Sequence, residues 1–348
     1  MLILSAAMTV VTDLGRFNGP PLGFSVNGAL DQYSARIANI LVGNHDNAPL
    51  LEMTASRFAF AAESDMLLAV TGAPCGIRVD HYSVPHHTPF SVRAGQVVTV
   101  DPGDTGLRSY VAVHGSFTVP MLLGSCAPDS MLGFGLRLEK NQRLACNSRP
   151  EPLKHPLFDL PLFQLGRIQQ SMDGQPIIDV TDGPDIEEFG ASAALLFGNE
   201  YVVSPRSNHV GLRLAGVVPR RVSSDEVLSR GVPVGAIEVP STTELLVLHR
   251  GRGVTAGYPV LGVLTGPALD AMAQVRPGNH VRFRHVTLDE ASLAQREQQV
   301  SIARIRQRTW EALHAHGVRN FDAGLPPPPQ TAPETTFRPE ISLESRLS

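Results

Sequence analysis

Apolar positions in this chain come in many short, β-branched runs. The clearest are Met66–Thr71, Gln96–Asp101, Ser109–Val113, Glu200–Ser204, Gly211–Val218, Glu244–Leu248 and His280–Val286. They are punctuated by 31 glycines and 28 prolines. Short strands set off by turn residues at this spacing predict barrels or sandwiches, not alternating βαβ units. The opening stretch, MLILSAAMTVVTDLGR, has no basic start and alternates like a strand, so it reads as a first β-strand and not as a signal peptide.

Two segments switch to a helical period. In the first, Asp31–Val42, Asp31 can cap the start, Tyr33, Ile37, Ile40 and Leu41 share a face, and Gly43 can close the end. The second covers about 287–317. Thr287 and Glu290 form a capping-box pair, Ile302, Ile305, Trp310 and Leu313 make an apolar stripe, and Gly317 ends it. Its other face, rich in Arg, Gln and Glu, reads as solvated. Prolines over Asn147–Pro161 suggest a linker, and the proline-rich, polar stretch 322–348 reads as a flexible tail.

Composition narrows the class. Of the 348 residues, 43% are hydrophobic and 18% charged, values of a globular chain with room for a large core. A net charge of -4 gives no phosphate-tracking surface, so nucleic acid is not an expected partner. No apolar run reaches the roughly 20 residues that span a bilayer. Three widely spaced cysteines, Cys75, Cys126 and Cys146, suit reduced thiols and a cytoplasmic location.

The chain has no Walker-type phosphate loop, no dinucleotide glycine fingerprint, no nucleophile elbow and no His-Glu-x-x-His. The segment Asp80-His81 with His86-His87 has metal-ligand types, but Pro85 and Pro89 interrupt it. It reads as a polar hairpin, and no metal is expected. The cations His249, Arg250 and Arg252 crowd a glycine turn that could hold a carboxylate or phosphate. Arg213 lies mid-strand in an apolar run, where it needs an acid or a ligand.

The most specific stretch is Asp13-Leu-Gly-Arg16, Gly28-Ala-Leu-Asp31, Leu41-Val-Gly-Asn44 and Leu51-Glu52. Asp13, Arg16, Ser25, Asn27 and Asp31 cluster there around one helix start, among glycines that permit close backbone approach. Taken singly, Asp13 and Arg16 read as an ion pair and Asp31 as a cap.

With Gly106–Val113, Val210–Gly216, Gly235-Ala-Ile237, Gly257-Tyr-Pro259 and Pro277-Gly278, this set resembles, in collinear order over about residues 8–293, the biotin-dependent carboxyltransferase-like family. That family includes allophanate hydrolase subunit 2, KipA, the C-type subunit of 5-oxoprolinase and the carboxyltransferase region of urea carboxylase. The resemblance implies a mainly β fold of two cyclophilin-like β-barrel domains, 1–150 and 151–295, with a few helices including a C-terminal one.

It also implies one component of an ATP-dependent enzyme that hydrolyses 5-oxoproline to glutamate, or a close amide-processing relative. The partners would be a KipI-like protein of the B type and a LamB-like protein of the A type, with ATP used by the complex. Carboxybiotin would enter only under a carboxyltransferase reading, on a separate carrier, since no Ala-Met-Lys-Met segment is present. The implied site combines Asp13, Arg16 and Asn27 with Arg213 and Tyr258 for substrate binding, and Glu238 or His249 for proton transfer. Several second-half positions depart from the family pattern: His209 stands for an arginine, Glu238 for a glutamine and His249 for an acid. The competing reading is a non-catalytic scaffold or regulatory binder of a KipI-like protein with an eroded pocket.

Overall fold

The computed structural model describes residues 1–147, 175–222 and 227–315. Residues 148–161 of the expected linker and the 322–348 tail lie outside them. The protein is mostly β, with helices α1 (Gln32–Leu41), α2 (Leu195–Gly198), α3 (Gly266–Met272) and α4 (Leu288–Ala315).

The first half forms two sheets around one core. One runs, in spatial order, Leu2–Ala6, Phe58–Ala61, Val97–Pro102, Cys75–Val79, Tyr82–Ser83. The other runs Leu136–Arg137, Thr9–Thr12, Leu50–Thr54, Arg108–Val113, Met66–Gly72, Phe90–Val92. Ile3, Met53, Phe58, Phe60, Val70, Val98 and Val111 fill the space between them. The opening stretch is therefore two strands, one in each sheet, where the sequence suggested one; a turn after Ala6 lets the chain change sheets.

Met66–Gly72 is buried at every position, without alternation. Its second face is covered by α1, whose Ile37, Ala38 and Leu41 pack with Leu67, Ala69, Tyr110 and Ala112. Burial on both faces is why that strand reads as a continuous apolar run.

The second half is a closed seven-stranded barrel: Ile177–Asp182, Val260–Leu264, Ala236–Glu238, Glu244–Leu248, Gly211–Ala215, Glu200–Val203 and His280–His285. Closure comes from a parallel pairing, Ile177–Asp182 with His280–His285. Residues two apart point inward, as strand geometry requires: Ile178 and Val180, Leu212 and Leu214, Leu245 and Val247, Val281 and Phe283.

Helix α4 begins with the reciprocal capping box. Thr287 N donates to Glu290 Oε2 at 2.8 Å, and Glu290 N donates back to Thr287 Oγ1 at 3.2 Å. The helix then crosses from the barrel to the first half, where Ile302 and Leu313 join the α1 cluster. Its polar face is not simply solvated: Gln298 donates to Asp270 and Arg306 holds Asp46. A helix bridging two units has to use more than one face.

Candidate functional site

The family-like signature folds into the seam between the halves. The backbones of 13–16 and 26–29 lie against each other, with Arg16 N to Val26 O at 2.6 Å and Ala29 N to Asp13 O at 2.8 Å. Gly15 has φ +118° and Gly28 φ +91°; a Cβ on Gly28 would lie 2.5 Å from the Leu14 carbonyl carbon. Only glycine fits both positions.

Asp13 and Arg16 do not pair with each other. Asp13 Oδ1 accepts from Gly15 N at 2.8 Å and Ser125 Oγ at 2.6 Å, and Oδ2 accepts from Cys126 N at 2.8 Å. Arg16 is fully buried. It donates to the carbonyls of Leu122 and Ala127, lies 3.6 Å from Asp129 and stacks over Phe134. Together they clamp the loop 122–134. Further along the signature, Asn44 Nδ2 donates to Val113 O at 2.8 Å, pinning the end of α1 to the sheet.

Asn27 reaches across the seam. Its Nδ2 donates to Asp129 at 2.8 Å and its backbone N to the carbonyl of Arg250 at 2.9 Å. Ser25 Oγ donates to the carbonyl of Arg252 at 2.7 Å. The first-half block thus holds the second-half turn 249–253 through its backbone. Gly251 is required there, because a Cβ would lie 2.4 Å from the His209 ring.

His249 is fully buried inside that turn. Its Nδ1 accepts from Arg250 N at 2.9 Å and its Nε2 faces the carbonyl of Leu269 at 3.2 Å. This fixes the neutral tautomer with the proton on Nε2. Burial, with Arg250 and Arg108 nearby, holds its pKa well below the ordinary histidine range. Both ring nitrogens are occupied by the backbone.

Glu238 is different. It is 1% exposed, and Oε1 has no hydrogen-bond partner among the described residues. Burial pushes its carboxyl up to about 7. Its cross-strand neighbours, Leu246 and Val260, belong to a small apolar cluster with Val232, Ala236 and Leu248 on the outer face of the barrel. A carboxyl in such surroundings exchanges a proton near neutral pH.

Arg213 lies in the same row. It faces Leu246, which faces Glu238, so the two polar residues are two strand spacings apart, about 10 Å. Arg213 already pairs with Glu244, which also holds Arg206. Tyr258, 47% exposed, stands on the rim two residues before Val260. Glu238, Arg213 and Tyr258 therefore share one outer region of the barrel, while Asp13, Arg16 and Asn27 hold the seam beside His249.

The partners of several polar residues had no local signal. Arg252 is 7% exposed, with Nε and Nη1 buried and unpartnered among the described residues. Deeper in the seam, Glu52 accepts from Tyr110 Oη at 2.8 Å and from Leu30 N at 3.1 Å, and lies 3.7 Å from Arg108. Asp31 caps α1 as expected, accepting from Ser34 N at 2.9 Å, and also accepts from Gln274 Nε2 at 2.7 Å across the seam. Burial first, then the charge of Asp270, raises Asp31 to about 7. Only the fold brings these residues together, from positions as far apart as Asp31 and Gln274.

The segment with His86 and His87 packs its two rings 4.1 Å apart, and burial lowers His86 to about 3. Among the described residues, no group of three or more His, Cys, Asp or Glu is placed to hold a metal ion. No helix there is long and apolar enough to cross a membrane.

A two-unit β protein with a polar seam and a buried carboxyl whose Oε1 has no partner among the described residues is the class this geometry defines. Residues 22–285 match the family model for the carboxyltransferase domain, subdomain A and B, and the chain belongs to that family. It is 34% identical over 299 residues to the C-type subunit of 5-oxoprolinase from Escherichia coli, covering 85% of this chain and 94% of that protein. It is 27% identical to the urea amidolyase of Lachancea kluyveri, covering 88% of this chain but 18% of that protein. The fold matches the crystal structure of the Kluyveromyces lactis urea carboxylase with a TM-score of 0.77 at 24% identity, over 87% of this chain and 29% of that one. Another solved relative, at 29% identity and a TM-score of 0.72, is matched over 55% of its length.

Proposed function

We propose that the chain is the C-type subunit of an ATP-dependent enzyme that opens the lactam of 5-oxoproline to glutamate. Its similarity to the C-type component of a 5-oxoprolinase runs over nearly the whole of that protein, whereas it matches a small part of the urea amidolyase. The observation that carries the chemistry is Glu238, a buried carboxyl whose Oε1 has no hydrogen-bond partner among the described residues and whose pKa is raised to about 7. Opening a stable amide requires a group that takes a proton from the attacking nucleophile near the working pH. Glu238 fits that role better than His249, whose ring nitrogens are both engaged. Arg213 and the rim residue Tyr258 would orient the substrate, with donors meeting the charge that develops on its oxygen.

A KipI-like protein of the B type would complete the site over Tyr258, and a LamB-like protein of the A type would complete the enzyme. ATP is a requirement of the complex, and no residue of this chain is assigned to it. The test is to co-purify the chain with its B-type and A-type partners and follow glutamate release from 5-oxoproline with ATP. No release from a verified complex refutes the assignment.

A second reading has support of its own. Asp13, Arg16 and His249 spend their polar atoms on backbone and loop contacts, and Arg213 has Glu244. That pattern suits a scaffold for a KipI-like protein. Arg213→Ala combined with Glu238→Gln separates the readings, because a scaffold keeps both complex formation and activity.

A further inference from the structure

A cavity of about 230 Å³ lies where α1, α3 and α4 meet, and none of the proposed site residues lines it. Its polar walls are Gln32 and Arg36 of α1, Arg250, Asp270 of α3, and Gln295 and Gln298 of α4. Three features of the cavity point to a ligand.

The first is Arg250. Its side chain is 12% exposed and it stands 3.6 Å from Asp270, beyond hydrogen-bond range. Its Nε makes a 3.4 Å contact with the carbonyl of Leu30. Nη1 and Nη2 make no hydrogen bond among the described residues, and Nη2 is the atom that faces Asp270. A guanidinium held this way, at the wall of a cavity, lacks the planar two-oxygen acceptor that matches its fork.

The second is the local charge. Arg36 reaches Asp46 only at 3.5 Å, and Arg306 already holds both oxygens of that carboxylate. Asp270 is taken up as well: Oδ1 accepts from Gln32 N at 2.9 Å and Oδ2 from Gln298 Nε2 at 3.1 Å. The arginines thus face Asp46, Asp270 and, behind Asp270, the buried Asp31, and each of these carboxylates also accepts from other donors.

The third is the space itself. Gly266 opens α3 at the edge of the cavity, and a Cβ there would collide with Gln295 Oε1, so any side chain at this position displaces that amide from the cavity wall. The wall that α4 contributes lies beyond residues 22–285, the span of the family match.

We infer that this cavity binds a small organic carboxylate, gripped by Arg250 and Arg36, with the glutamine amides of α1 and α4 meeting its remaining polar groups. The site is separate from Glu238. It touches the turn 249–253 through Arg250, so occupancy would be felt at the seam.

Isothermal titration calorimetry on the full chain tests this, using L-glutamate, 5-oxoproline, its uncharged analogue 2-pyrrolidinone and inorganic phosphate. In an Arg213→Ala background, which removes the arginine proposed to orient the lactam, one or both carboxylates still bind at one site, while 2-pyrrolidinone and phosphate do not. Arg36→Met, a partly exposed position that leaves the core intact, weakens binding about tenfold or more. Gly266→Val, which displaces the Gln295 amide from the wall, does the same, and Glu238→Gln leaves binding unchanged. Each variant is first shown to be folded by circular dichroism. The inference is overturned if neither carboxylate binds at millimolar concentration, if phosphate or 2-pyrrolidinone binds equally well, or if folded Arg36→Met and Gly266→Val bind as the wild type does. Loss of binding in Glu238→Gln would also overturn it, by placing the ligand at the other site.

Discussion

The backbone amide of Asn27 donates to the carbonyl of Arg250 at 2.9 Å, so a loop of the first half holds the cationic turn of the second. Asn27 does this at φ +55°, in the left-handed region, while its side chain holds Asp129. Asn27→Gly keeps the backbone and loses the side-chain bond, at a cost of about 1–3 kcal/mol. Asn27→Val adds left-handed strain of about 1–2 kcal/mol. Urea unfolding should therefore rank wild type above Gly and Gly above Val.

Asp31 gives the protein a pH-dependent stability term. Its folded pKa is about 7, against an ordinary 3.8, because burial and Asp270 disfavour its charge. A raised acid stabilises the fold fully below its ordinary pKa and loses that contribution as pH rises through about 7. Between about pH 5 and about pH 8, wild type should lose more unfolding free energy than Asp31→Asn, whose cap survives and whose charge does not titrate. Parallel curves for the two proteins would contradict this.

Helix α4 fastens the barrel to the first half through few residues. Leu313 is fully buried against the α1 cluster, so Leu313→Ala should cost about 2–5 kcal/mol. Thr287→Ala removes half of the capping box and should cost about 1 kcal/mol. Thermal melts of the two variants, compared with wild type, check the order.

The strands were legible in the sequence because each half buries a sheet face: Glu244–Leu248 begins and ends as expected, and Met66–Gly72 differs by one residue. Helix α1 and its cap were legible for the same reason, since capping is local. The acid for Arg213 was foreseeable in kind, and proved to be Glu244. What a helix packs on is not local. Gln298 and Arg306 looked like solvent-facing residues until α4 was laid across Asp270 and Asp46. The seam network was hidden for the same reason: Glu52, Tyr110, Asp31 and Gln274 meet only once both halves have folded.

The central claim concerns Glu238, and the most direct measurement is the pH dependence of ATP-dependent glutamate release by the assembled complex, wild type beside Glu238→Gln. With Glu238 as the proton acceptor, the wild-type rate rises as pH passes about 7, where its carboxyl ionises. Glu238→Gln, assembled equally well, falls by about 100-fold or more and loses that inflection. A Glu238→Gln complex that releases glutamate at the wild-type rate, with the same pH profile, would contradict the account.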